Sequence, residues 1–208
     1  MSRCWAPSCW PSSQPSRAAC RVTIRQAVLA DVPVCTAIYN YYVEVGVSTF
    51  DEQPRSAVQG LEWYSAHRDP RYPLIVWELG EDLLGFGTLS RWSKKSGYDR
   101  SVEVSVFVSP GHLGQGGGRL LLSRLIAMAE EAGHHVLLGR IEASNKDSLI
   151  LFQRSGFTPV GVLREVGFKQ ERWLDVLILE RILKNLNRSL NARACSRVSR
   201  TRRNPSVT

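Results

Sequence analysis

From Val22 onward, apolar and polar positions fall into short runs that switch between a two-residue and a 3.6-residue period. The stretch "VTIRQAV" alternates as a strand, and Asp31 stands where an N-cap is expected for a helix from about Val32 to Val45. A helix around residues 56 to 67 follows. Then come "PLIVWEL" and "LLGFGTLSRW", two strands of a hairpin joined by the polar "GED". The run "VEVSVFV" predicts a strand over 102 to 108, and a leucine-rich helix follows it to Ala132. A strand at "HVLLGRIEA", a helix from about Lys146 to Arg154, and two closing strands at "FTPVGVLREVG" and "WLDVLILERIL" complete the pattern. Hairpins at both ends and a β-loop-α-β unit in the centre predict an α/β (α+β) fold built on one mixed sheet, without internal repeats.

Composition changes this picture only at the ends. The 208 residues, 43% hydrophobic and 22% charged, suit one domain with a sizeable core. The formal charge of +8 invites a nucleic-acid reading, but the 19 Asp and Glu all lie between residues 22 and 183, and ten of the 27 Lys and Arg lie outside that range. The domain is therefore slightly acidic and a specific nucleic-acid surface is not expected. Residues 1–21, rich in Ser, Pro and Cys, and residues 184–208, polar and basic, are expected to be disordered. The N-terminal segment reads either as an organellar transit segment or as the product of a misassigned start. No stretch reaches the ~18 apolar residues of a membrane span. Only Cys35 lies in the domain, so no disulfide framework or metal spacing is present, and a soluble cytoplasmic protein is expected.

The chemistry concentrates in "VEVSVFVSPGHLGQGGGRLLL", residues 102 to 122. Alternation puts Val102, Val104, Val106 and Val108 on one face, the core side, and Glu103, Ser105 and Phe107 on the other. Leu121, Leu122, Leu125, Ile126 and Ala129 form the buried stripe of the helix. Between them stand Gly111, Gly114, Gly116, Gly117 and Gly118. A flexible surface turn is the plainer account. The sharper one is that backbone N–H groups at a helix N-terminus approach an anion, a phosphate, without interference from Cβ atoms. The spacing is neither a Walker loop nor a G-x-G-x-x-G fingerprint, which disfavours nucleoside triphosphates and NAD. Glu103 is also unusual, because glutamate is depleted in strand interiors and a buried unpaired carboxylate is costly. Its plainer reading is an edge-strand residue facing water or pairing with Arg100.

"VSPGHLGQGGGRLLL" resembles the pyrophosphate loop of the GNAT superfamily of acetyl-CoA-dependent N-acetyltransferases. "GHHVLLGRIEASNKDSLILFQRSGF" and "GVLREVGFKQERWLDVLILE" extend the resemblance across about residues 22 to 183 to one subgroup, the phosphinothricin and methionine sulfone or sulfoximine N-acetyltransferases. The resemblance implies a mostly antiparallel sheet whose splayed central strands admit acetyl-CoA between residues 102–108 and 135–142. Val106, Phe107 and Val108 would contact the pantetheine arm and polarise the thioester carbonyl. Gly114, Gln115, Gly116, Gly117, Gly118 and Arg119 would cradle the pyrophosphate, and Asn145 would contact the cofactor, although by itself it reads as an N-cap. Glu103 matches the general-base position, taking a proton from an amino acid acceptor's ammonium. Phe50, Trp92 and Tyr98 match acceptor positions. The resemblance further implies a homodimer and no metal.

Some residues depart from the subgroup's pattern. Leu113 replaces Arg or Gln, which removes a phosphate contact, and Gly117 replaces a branched apolar residue, which predicts a looser helix start. Phe152 replaces His or Tyr, so no ionisable group there can protonate departing CoA thiolate. A catalytically silent acyl-CoA-binding module therefore stands as the alternative function. Arg91 and Arg100 are candidates for the acceptor's carboxylate. Lys169, Arg172, Trp173 and Asp175 fall in the closing hairpin, Trp173 as core or dimer packing. His134 and His135 beside Glu130 and Glu131 hint at a metal pair, but Gly133 makes this a helix C-cap with a structural role.

Overall fold

The computed structural model describes residues 22–183, so the expectations for 1–21 and 184–208 lie outside the described residues. Seven strands and four α-helices follow the predicted order: β1 (Val22–Gln26), α1 (Val32–Val45), α2 (Ala57–Ala66), β2 (Leu74–Leu79), β3 (Asp82–Arg91), β4 (Ser101–Val108), α3 (Gly117–Glu131), β5 (Val136–Glu142), α4 (Lys146–Arg154), β6 (Thr158–Lys169) and β7 (Arg172–Ile182). They form one sheet in the order β1-β2-β3-β4-β5-β7-β6. Every neighbouring pair is antiparallel except β4 and β5, whose connection through α3 makes them parallel. Among the described residues no helix is long and apolar enough to cross a membrane.

Both faces of the sheet are covered. On one, Val102, Val104 and Val108 meet Leu121, Leu122, Leu125, Ile126 and Ala129 of α3, so the valine side and the leucine stripe face each other as their periods require. On the other, Leu74, Val76 and Phe86 pack beneath Cys35, Ile38, Tyr39 and Val43 of α1. Phe107 joins this second layer, stacked on Phe86 at 5.2 Å and edge-on to Tyr39 at 5.3 Å.

Two helix ends add detail to the expectation. Asp31 holds the N-cap position of α1, but its side chain bonds none of the helix amides. Its carboxylate turns back to accept from the Val28 amide (2.7 Å) and from Arg25, and the guanidinium holds it below the usual carboxylate range. The competing partner is stronger because it is charged. At α3, the room that Gly117 leaves at the helix start is filled. A Cβ on it would lie 2.2 Å from a ring carbon of Trp77, which is 2% exposed, so the indole fills the space that a side chain there would take.

Candidate active site

The sheet opens between β4 and β5. Their ladder pairs only Ser101, Val102 and Glu103 with Val136, Leu137 and Leu138. Beyond that point β4 continues to Val108 alongside β3, and β5 continues to Glu142 alongside β7. The β3–β4 register is unbroken, and Ser109 donates to the Leu84 carbonyl (2.7 Å). Alternation therefore turns the amides and carbonyls of Ser105 and Phe107 toward β3 and those of Val104, Val106 and Val108 toward the opening. On the facing strand, Ala143 donates to the Asp175 carbonyl (3.0 Å), so Arg140 and Glu142 aim their backbone groups into the same opening. The slot is thus lined by strand edges that form no sheet pairs with one another. Val106 and Val108 present backbone to it, and the Val108 carbonyl also accepts from the Tyr42 hydroxyl (2.6 Å). Phe107 turns its amide to β3 and its ring to the aromatic layer.

At one end of the slot, α3 begins. Gly114 and Gly116 have φ of +75° and +87°, the left-handed region that glycine adopts without strain, and nothing lies within 4 Å of where their Cβ atoms would be. Gly116 is the N-cap, so the free amides of the first turn and the positive end of the helix dipole open onto solvent beside Gln115, Gly118 and Arg119. Leu113, 60% exposed, adds no charge. The arrangement suits a pyrophosphate held by backbone donors.

Glu103 sits at the fork itself, the last β4 residue paired with β5. Its side chain, 16% exposed, lies on the α1 side of the sheet and is bound bidentately by Arg140, Nε to Oε1 at 2.7 Å and Nη2 to Oε2 at 2.8 Å. The plainer reading had paired it with Arg100, whose carbonyl instead accepts the amides of His135 and Val136. The Arg140 guanidinium stands 5.9 Å from the centroid of Trp92, which brings that predicted acceptor residue to Glu103. Arg91 lies elsewhere. It pairs with Val102 in register, hence on the opposite face, and binds Asp99 at 3.4 Å.

A loop between α1 and α2 closes over this face. Phe50 lies against Gly167, where a Cβ would be 2.1 Å from its ring. Lys169, buried, donates to the Thr49 carbonyl at 2.9 Å. Its burial pushes the ammonium below the ordinary lysine value. Asn145 caps α4 by accepting from Ser148 (3.1 Å) and donates to Ser48 of the same loop (3.3 Å). Tyr98 is exposed, in a 3-10 turn before β4. Trp173, 62% exposed, is not core but packs on Phe168. Arg172 is exposed, and Asp175 accepts from the Glu165 amide (2.8 Å). Phe152 is buried against Phe157 and Gly139 on the α4 side of the opening. His134 is fully buried, its Nε2 at 2.8 Å from the Arg71 carbonyl, at the helix stop formed by Gly133.

Two site residues escape sequence reasoning. Arg140 looks like any strand arginine until the register sets it beside Glu103. Glu142, 9% exposed on the same face, is bonded by the Ser144 hydroxyl. The signal for it was an acidic residue in a strand whose one other charged position is Arg140.

A slot of unpaired strand edges that ends at the start of α3 suits an extended thioester arm with a pyrophosphate. Residues 35–157 match the acetyltransferase (GNAT) family, and the chain belongs to it. It is 36% identical to the L-amino acid N-acyltransferase of Escherichia coli, over 76% of this chain and 92% of that protein. It is 39% identical to a phosphinothricin N-acetyltransferase of Streptomyces coelicolor, over 78% and 96%. An acetyltransferase from Salmonella typhimurium solved with its cofactor acetyl-CoA superposes with a TM-score of 0.76 at 36% identity, covering 78% of this chain and 94% of that one. A phosphinothricin acetyltransferase from Sinorhizobium meliloti in complex with acetyl-CoA gives 0.75 at 32%, covering 78% and 88%. The protein is an acetyl-CoA-dependent N-acetyltransferase of the GNAT type.

Proposed function

We propose that the chain acetylates the α-amino group of a small amino acid or analogue of the phosphinothricin or methionine sulfone kind, with Glu103 as the base. The observation that carries this reading is a carboxylate at the fork where the slot meets the acceptor face. Glu103 takes a proton from the acceptor ammonium, directly or through a water. The amine nitrogen then bonds to the acetyl carbonyl carbon, the carbon–sulfur bond breaks as the nitrogen's surplus proton passes to solvent, and the thiolate takes a proton from solvent because Phe152 has none to give. The Val106 and Val108 amides polarise the carbonyl oxygen. The loop of residues 114 to 119 holds the pyrophosphate, and Phe50 and Trp92 enclose the acceptor.

Release of CoA thiol against a panel of amino acids tests this. Activity on methionine sulfone or phosphinothricin is expected, with kcat/KM falling about 10²- to 10⁴-fold in Glu103→Gln while acetyl-CoA affinity is kept. Full activity in that variant would mean another base serves the reaction. The buried Phe152 favours one second reading, a silent acyl-CoA-binding module, for which acetyl-CoA would bind and no amine in the panel would release thiol. A homodimer is also proposed. Val160, Val162, Val166, Phe168 and Trp173 are each about half exposed or more along β6 and β7, an apolar surface suited to a second copy. A concentration-independent monomer mass in light scattering would refute it.

A further inference from the structure

We infer that Arg140 is the acceptor's α-carboxylate ligand, and that its exchange from Glu103 to that carboxylate releases the base only when an amino acid is bound. The inference rests on the acetyl-transfer reading above. Both oxygens of Glu103 are occupied by the two N–H groups of one guanidinium. An ammonium arriving at Glu103 competes with that guanidinium for the same two oxygens and the same charge, so the carboxylate is fully available only once Arg140 takes another partner. The planar, bidentate geometry that grips Glu103 is the geometry that grips any carboxylate.

Three observations favour exchange over a permanent staple. The Arg140 side chain is 55% exposed whereas Glu103 is 16% exposed, so the arginine has room to move and the glutamate does not. Because the arginine end of the pair is open to water, a substrate carboxylate can reach it and offer the same bidentate geometry, so the exchange trades one such pair for another. The guanidinium also stands beside Trp92, which gives the displaced head an aromatic face to rest against. Two other cations of this face are committed. Lys169 is buried on the Thr49 carbonyl, and Arg55 lies over Tyr39 at 3.6 Å and against Asp51. Arg91 is across the sheet. An α-amino acid carries the complementary pair of charges on one carbon, its carboxylate for Arg140 and its ammonium for Glu103.

The test compares methionine sulfone with the amine that lacks its carboxylate, 3-(methylsulfonyl)propylamine, in wild type, Arg140→Gln and Arg140→Lys. Wild type is expected to prefer the amino acid by about 100-fold or more in kcat/KM. Arg140→Gln should lose most of that preference, through a raised KM for methionine sulfone and a raised kcat/KM for the amine, whose access to Glu103 no longer waits on the exchange. Arg140→Lys should restore part of the KM. Acetyl-CoA affinity and melting temperature should stay near wild type in both variants. A staple would instead lower both acceptors' rates together, along with melting temperature, and that outcome overturns the inference, as does a wild type that ignores the carboxylate. Calorimetric titration of the same two compounds into the CoA-bound protein needs no turnover. Arg140-dependent preference for the carboxylate in a protein that transfers no acetyl group would sink the catalytic reading and keep the carboxylate site, and absence of that preference sinks the site.

Discussion

Gly117 and Trp77 offer a perturbation whose sign separates packing from backbone effects. Replacing a helical glycine by alanine ordinarily gains up to about 1 kcal/mol. Here the added carbon would lie 2.2 Å from a ring carbon of Trp77, where contact needs about 3.5 to 4 Å, so helix and indole must part by more than an ångström. Overpacking of that kind costs about 1–3 kcal/mol, so Gly117→Ala is expected to destabilise, lowering Tm by about 2–12 °C at about 2–4 °C per kcal/mol. Trp77→Leu leaves a cavity. Its cost, on the order of 2 kcal/mol, is softened because the buried Nε1 of Trp77 has no hydrogen-bond partner among the described residues to lose. In the Trp77→Leu background Gly117→Ala should become neutral or favourable, giving a coupling of about 2 kcal/mol in the double-mutant cycle. Urea unfolding of the four proteins measures it, and acetyl-CoA affinity should follow the same order because α3 carries the pyrophosphate loop. An additive cycle, or a Gly117→Ala protein more stable than wild type, would refute the account of Trp77 as the filler of the missing side chain.

Gly167→Ala should displace Phe50 and raise KM for the acceptor about tenfold or more with acetyl-CoA affinity unchanged, since the new methyl would meet the ring at 2.1 Å; an unchanged KM would remove Phe50 from the acceptor pocket. Burial holds the His67 and His134 imidazoles below their ordinary value, so the unfolded chain takes up protons where the folded chain does not. Stability should therefore be full above about pH 6.5 and decline as pH falls below it, with a shallower acid limb in His134→Gln when melting temperature is followed from pH 7.5 to 5. Phe152→Tyr should raise kcat in wild type and do little in Glu103→Gln, where deprotonation limits; a tyrosine variant with unchanged kcat would show that thiolate departure is not slow.

The sequence by itself determined the elements and their buried faces, because a strand's two-residue period and a helix's 3.6-residue period are local properties. The valines of β4 and the leucine stripe of α3 were legible as partners, the bounds of α4 followed from Asn145 and the apolar spacing, and the glycines before α3 pointed to a backbone anion site. The resemblance carried the opening between β4 and β5, and the parallel ladder that stops at Glu103 bears it out. Tertiary structure decided which side chains met. Asp31 took Arg25 over the helix amides, Arg91 fell on the face away from Glu103, and Trp77 filled the place at Gly117 that local propensity read as looseness. Arg140 reached Glu103 across 37 residues and Lys169 reached Thr49 across 120. Such contacts depend on strand order and register, which are settled when the whole sheet closes its hydrogen bonds and buries both faces at once. No window of sequence short enough to have a period contains that information.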